Sequence, residues 1–280
     1  MLSINQELRK KLLVIRNQRQ KRRSEELSKI LSKIQKTRFF GNSTNNRREP
    51  LNIFKNYNVS FTPESFFSGF SFIENLEKYT GLRCLWLENN GIREIANLEN
   101  QSELKCLYLH NNLINKIENL EWLTKLDTLN LSYNTIRRIE NLGDSNSLKF
   151  LNTLNLSHNY LQDTNDIEHL RLLDSLSVLD ISHNRIDTDE VVNVSPLCFL
   201  NQLRVVSLMG NPILKKIRLY RKTMILKCKN LKYLDDRPVF PRDRACAEAW
   251  MRGGPEEEAA ERKRWIEAEQ KKINDSVQGE

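Results

Sequence analysis

The amino-acid sequence predicts an α/β solenoid: a right-handed horseshoe with parallel strands on its concave face, a helical C-terminal cap and an extended C-terminal helix. Three observations predict it. The phrase L-x-x-L-x-L-x-x-N, with Ile or Val in two of its slots, occurs six times, opening at Leu82, Leu104, Leu126, Leu151, Leu176 and Leu203. Its closing asparagines, Asn90, Asn112, Asn134, Asn159, Asn184 and Asn211, are separated by 22, 22, 25, 25 and 27 residues. Its eighteen apolar slots hold sixteen Leu, one Ile and one Val, too uniform a set for chance. A fixed phrase at this period is the mark of a leucine-rich repeat. Each L-x-L alternation is a half-buried strand, Leu inward and x outward. No coil buries its apolar face alone, so the stack does so jointly.

The remaining segments follow from the N-terminus. Residues 1–49 form a basic, partly helical extension and linker. Residues 1–48 hold 14 Lys or Arg against 3 Glu, whereas the whole chain carries +8, so the rest is slightly acidic. Ile4, Leu8, Leu12 and Ile15, and then Leu27, Ile30, Leu31 and Ile34, are spaced for amphipathic helices. A solvated extension, a nuclear signal, a nucleic-acid arm and a membrane-surface helix all fit that composition. The apolar run 12–15 is too short for a signal-peptide core or a membrane span.

Residues 50–81 read as a degenerate capping repeat. Ile73, Leu76 and Tyr79 match the end of a coil, but counting back 22 residues puts Ser60, Pro63 and Ser65 in the strand slots, and Pro63 cannot donate to a ladder. Residues 82–213 are the six repeats. Each closing Asn sits where the chain turns, and its amide can both donate to and accept from backbone groups, giving a stacked structural ladder. The second half of each coil reads I-x-x-I-x-x-L, as in Ile92, Ile95 and Leu98, a spacing that suits a 3₁₀-like convex segment. Residues 214–240 read as a helical cap through Ile217, Tyr220, Leu226, Leu231 and Leu234. Residues 241–280 are a helical extension, a short helix broken by Gly253, Gly254 and Pro255, then a longer helix, acidic at its start and basic at its end. Its few apolar positions leave it solvated or packed on something outside this chain.

The chemistry-bearing residues point away from catalysis. Cys84, Cys106, Cys198, Cys228 and Cys246 are odd in number, with no C-x-x-C and no secretory signal, which predicts reduced thiols. Cys84 and Cys106 share a slot in successive coils, and so do His158 and His183, but neither pair has the further ligands a metal needs. No phosphate-binding glycine loop, H-E-x-x-H, G-x-S-x-G or EF-hand pattern occurs. No cofactor and no small-molecule substrate is implied. What remains is a surface. Trp86, Glu88, Tyr108, His110, Asn130, Asn155 and Asp180 occupy outward strand positions and form the candidate partner-binding set. The face is not basic, which argues against a grip on phosphates. Trp86 beside Tyr108 is either a protein-binding anchor or a cover for the capped end.

Two stretches carry a closer likeness. Residues 77–92 read E-K-Y-T-G-L-R-C-L-W-L-E-N-N-G-I, and residues 230–250 read N-L-K-Y-L-D-D-R-P-V-F-P-R-D-R-A-C-A-E-A-W. With the I-E-N-L coils at 73–76, 117–120 and 139–142, these resemble the dynein axonemal assembly factor 1 family of 22-residue leucine-rich-repeat proteins. The resemblance implies a non-enzymatic scaffold for cytoplasmic preassembly of axonemal dynein arms. Its implied partners are dynein subunits, chaperones and other assembly factors, and its implied location is the cytoplasm, with the cilium as the second site. The family carries an intact strand phrase in the coil before Glu77; here Thr62, Pro63, Glu64 and Ser65 replace it. Two rival readings share the repeat: a regulatory subunit of a protein phosphatase, and a ribonucleoprotein component using the basic arm.

Overall fold

The structure, a computed structural model, describes residues 59–60, 70–142, 148–187, 197 and 200–278. The basic extension, Pro63, Ser65 and Cys198 lie outside the described residues.

The L-x-L phrases form three-residue strands: β2 (Cys84–Trp86), β3 (Cys106–Tyr108), β4 (Thr128–Asn130), β5 (Thr153–Asn155), β6 (Val178–Asp180) and β7 (Val205–Ser207). Each buries its central residue and leaves its flanks half-buried, as pleating requires. They pair in parallel and in register, Leu85 with Leu107, Leu107 with Leu129, and so on to Leu179 with Val206. All eighteen apolar slots of the phrase are buried in one continuous core, with Leu87, at 6% exposure, the most open.

Two further parallel strands extend the sheet. β1 (Val59–Ser60) pairs with β2, Val59 opposite Leu85. The step between them is 26 residues rather than the 22 used above, so the strand slots fall at Val59 and Ser60. At the other end β8 (Tyr233–Leu234) pairs with β7, Leu234 opposite Val206. Leu231 and Leu234 are therefore a seventh, truncated phrase and not part of a helix; the 28-residue step hides them. β9 (Arg237–Pro238) then turns back antiparallel on β8 through Asp235 and Asp236, with Asp235 in the left-handed region. The α-helical part of the cap is α1 (Tyr220–Lys227).

The convex side corrects another expectation. Among the described residues, 3₁₀ helix occurs at Asn165–Leu172 and Pro212–Lys215, and not in the first three I-x-x-I segments. In those coils Asn97, Asn119 and Asn141 adopt left-handed φ of 60°, 57° and 57°, which no 3₁₀ run tolerates. Asn165–Leu172 lies in a 25-residue coil, where three more residues give room for it.

α2 (Pro241–Gln278) is two helices about a kink at Gly253 and Gly254. Gly254 has φ of 70° and ψ of −154°, open to glycine alone, and the chain doubles back there. Arg242, in the first turn, reaches Glu269 at 3.9 Å. The second half is thus not simply solvated. Lys222 of α1 bonds Glu258 and lies 5.4 Å from the ring centroid of Trp250, while Arg262 joins Glu258 at 2.9 Å. Salt-bridging holds the Glu258 carboxyl below its usual range, the Lys222 hydrogen bond first among the causes. No helix among the described residues is long and apolar enough to cross a membrane.

Candidate partner-binding face

In the turns behind the sheet, the closing asparagines tie coil to coil. Asn112 Nδ2 donates to Leu87 O at 2.9 Å and its Oδ1 accepts from Ile92 N–H at 3.1 Å, both in the preceding coil. Asn134, Asn159, Asn184 and Asn211 repeat both contacts, and all are buried. Asn90 follows the pattern in part, its Oδ1 accepting from Phe70 N–H. A second set of asparagines lies on the convex side. Asn97, Asn119 and Asn141 donate to Ile73 O, Ile95 O and Ile117 O at 2.6–2.7 Å. Sequence reasoning took I-E-N-L as a class mark and missed this rail, although its 22-residue spacing was there to see.

The outward strand slots diverge along the sheet. Trp86 and Tyr108, Cα partners in β2 and β3, stack their rings at 5.3 Å with planes 9° apart. Cys84 and Cys106 are Cα partners beside them. Burial, and then the Cys106 neighbour, push the Cys84 thiol up to about 11; burial also raises the Tyr108 hydroxyl. Both thiols are free, and that of Cys84 is protonated at neutral pH. Glu88 Oε2 is buried with no hydrogen-bond partner. His110 Nδ1 lies 3.5 Å from Asn130 Nδ2.

Farther along, the side chains fold onto their own backbone. Asn130 Oδ1 accepts from Ser132 N–H and Oγ, Asn155 Oδ1 does the same with Ser157, and Asp180 Oδ1 accepts from Ser182 N–H. These turns draw Ser132, Ser157 and Ser182 under the surface, to 5–7% exposure, so the third outward slot is not outward in the middle coils. The structure therefore brings Trp86, Glu88, Tyr108 and His110 together at one end, and commits the acceptor oxygens of Asn130, Asn155 and Asp180 to local turns.

One edge of the face carries a stack. Tyr133, His158 and His183, each directly before a ladder Asn, adopt left-handed φ, and their rings stack at 4.0 and 4.3 Å. Burial, and then His183, lower the His158 imidazole, with Asp180 opposing. The next coil has Gly210 there, at φ of 73°; a Cβ on it would stand 2.4 Å from His183 Nδ1. Among the described residues no group of three or more His, Cys, Asp or Glu is placed to hold a metal ion.

Comparison with known proteins gives the following. No family model matches the chain. Over 211 residues, 75% of this chain, it is 60% identical to the dynein axonemal assembly factor 1 homolog of Aedes aegypti, covering 19% of that protein. The Anopheles gambiae homolog is 60% identical over the same length, with 23% of it covered. The human dynein axonemal assembly factor 1 is 58% identical over 76 residues, 27% of this chain and 10% of that protein. The chain spans about a fifth of the length of the two insect relatives. Among solved structures, the Drosophila melanogaster SNF/U2A′ complex is 24% identical over 71% of this chain and 97% of the matched chain, at a TM-score of 0.44.

Proposed function

This chain belongs, over the three quarters of it that align, to the dynein axonemal assembly factor 1 family, and from that premise we propose that it is a non-enzymatic scaffold for cytoplasmic preassembly of axonemal dynein arms. Its partners on this reading are dynein subunits and the chaperones that handle them, met before the arms reach the cilium. The observation that carries the reading is the Trp86–Tyr108 stack at one end of the sheet face. Two in-register strands hold the rings, so little side-chain freedom is lost when a partner covers them, and aromatics so held are the usual anchors of interfaces. The rival readings have less support. Nothing on the face favours a phosphatase subunit, and its outward strand slots hold no Lys or Arg with which to grip a polyanion.

Trp86→Ala combined with Tyr108→Ala is expected to weaken capture of axonemal dynein chains from ciliated-cell cytosol by about 2 kcal/mol or more. Circular dichroism should show an unchanged fold, because both side chains lie outside the core. A folded double variant that captures dynein chains as well as the wild type, and restores ciliary motility, removes this face from the mechanism.

A further inference from the structure

We infer that the Trp86–Tyr108 end of the sheet face is built to receive an arginine of a partner polypeptide, with Glu88 as the receiving carboxylate. The inference rests on the reading of this face as a protein-binding surface and adds the chemistry of what binds there.

Charge is the first support. The chain has 44 Lys and Arg among 280 residues, so eighteen positions drawn at random would hold nearly three. The eighteen slots predicted to face outward, three of which (Ser132, Ser157 and Ser182) are drawn under the surface, hold none, and their two formal charges, Glu88 and Asp180, are both acidic. A face without cations whose fixed charges are both acidic repels acidic segments and attracts cationic ones. The nearest cations along the chain, Arg83 and Arg93, are each five residues from Glu88, about 16 Å of extended chain, and Arg83 and Lys105 stand just before their strands. None of them forms an ion pair with Glu88, nor does any other Lys or Arg among the described residues.

The second support is the orphaned oxygen. A buried carboxylate oxygen with no donor costs free energy that a partner's N–H would recover. Glu88 Oε2 is such an atom. Asp180, the other acid, already accepts from Ser182 N–H, so the two acids are not equivalent and Glu88 is the one with an oxygen lacking a donor.

The third is the aromatic pair. A guanidinium can give a carboxylate two parallel N–H bonds while its flat face lies on a ring, and it sheds water more readily than an ammonium. Trp86 occupies the outward slot two residues before Glu88 on the same chain, and Tyr108 lies beside it. A lysine could satisfy the charge but not the planar contact.

The test selects phage-displayed random peptides of about 12 residues on the full chain. The most enriched sequence is then synthesised and measured by fluorescence anisotropy. An arginine-bearing peptide is expected. Its affinity should fall about tenfold or more on Glu88→Gln, and by a similar factor when the arginine is replaced by citrulline, which keeps shape and removes charge. The two changes together should cost little more than either one. Lysine in place of arginine should recover only part of the loss. If the enriched peptide lacks arginine, or binds Glu88→Gln as tightly as wild type yet fails on Trp86→Ala with Tyr108→Ala, the arginine inference is overturned and the face reading stands. If it binds that double variant at full strength, both are overturned. Should the double variant misfold, the nearly isosteric Glu88→Gln still decides the arginine inference.

Discussion

At Asn134 one carboxamide closes four hydrogen bonds: Nδ2 donates to Leu109 O, Leu131 O and Ser132 O, and Oδ1 accepts from Ile114 N–H. Asn134→Ala orphans Ile114 N–H in a dry turn, takes one of two donors from Leu109 O, and is expected to cost roughly 1–3 kcal/mol in urea unfolding. Asn134→Asp should cost more at pH 7, because a carboxylate then faces three carbonyls. Those carbonyls raise its folded pKa above the unfolded value, so this extra penalty should shrink as pH falls through the folded pKa. Gly210 supplies a second residue-scale expectation. Gly210→Ala adds a methyl at left-handed φ and drives it into His183, so it should lose about 1–2 kcal/mol from backbone strain plus a steric part. Measured in a His183→Ala background, only the backbone part should remain. The closing asparagines and the shared slot of Trp86 and Tyr108 were legible from spacing alone. The unpaired Glu88 oxygen was not, because no periodicity reports which atom of an outward side chain is covered.

At the scale of elements, strands of three residues were easy to read where Leu marks both inward slots. They were missed where the phrase is cut short, as at Leu231 and Leu234, because a two-residue strand has no periodicity of its own. The 3₁₀ expectation failed for a local reason, the left-handed asparagines of the I-E-N-L turns. The stretch 230–250, distinctive in sequence, has a mechanical explanation. Asp243 accepts from Phe240 N–H at the start of α2 and pairs with Arg221, and Arg221 also donates to Pro238 O. Arg244 reaches back to the end of α1, donating to Ile225 O, Cys228 O and Leu231 O at 2.6–3.3 Å. Ile225 O is a carbonyl that a helix end leaves without a partner, Cys228 O also accepts from Leu231 N–H, and Leu231 O lies just beyond the helix. Arg244→Ala should therefore destabilise the cap by roughly 1.5–3 kcal/mol, and Arg244→Lys should recover little, because one ammonium cannot reach three carbonyls in a fork. Hydrogen exchange of α1 should report the loss while the amides of β3 and β4 stay protected.

For the molecule as a whole, stability is close to a sum over coils and the junctions between them. Leu129 is fully buried in β4, in the middle of that sum. Leu129→Arg places an unpaired charge where each neighbouring coil supplies only Leu, a cost of several kcal/mol that rivals the stability of the domain. The variant should be recovered insoluble, or should lose the wild-type thermal transition. The solenoid was legible because its phrase recurs six times, and a one-residue slip in any strand would turn that strand's inward leucines outward. The hairpin of α2 was not: Gly253 and Gly254 announced a break, but the direction of the second half depends on Lys222, Trp250 and Glu258 meeting across 28 to 36 residues of sequence.

The ladder also has a direction, and it sets an order for the ribosome. Ile92 N–H waits for Asn112, Ile186 N–H waits for Asn211, and Leu208 N–H waits for Asp235. Each coil leaves the exit tunnel with its turn open and is completed only by the next 22–27 residues. At about 5–20 residues per second, a coil stays unfinished for about one to five seconds. A nascent chain that has not yet released Asp235 presents an incomplete last turn to any chaperone waiting at the tunnel mouth, however well formed the coils behind it are.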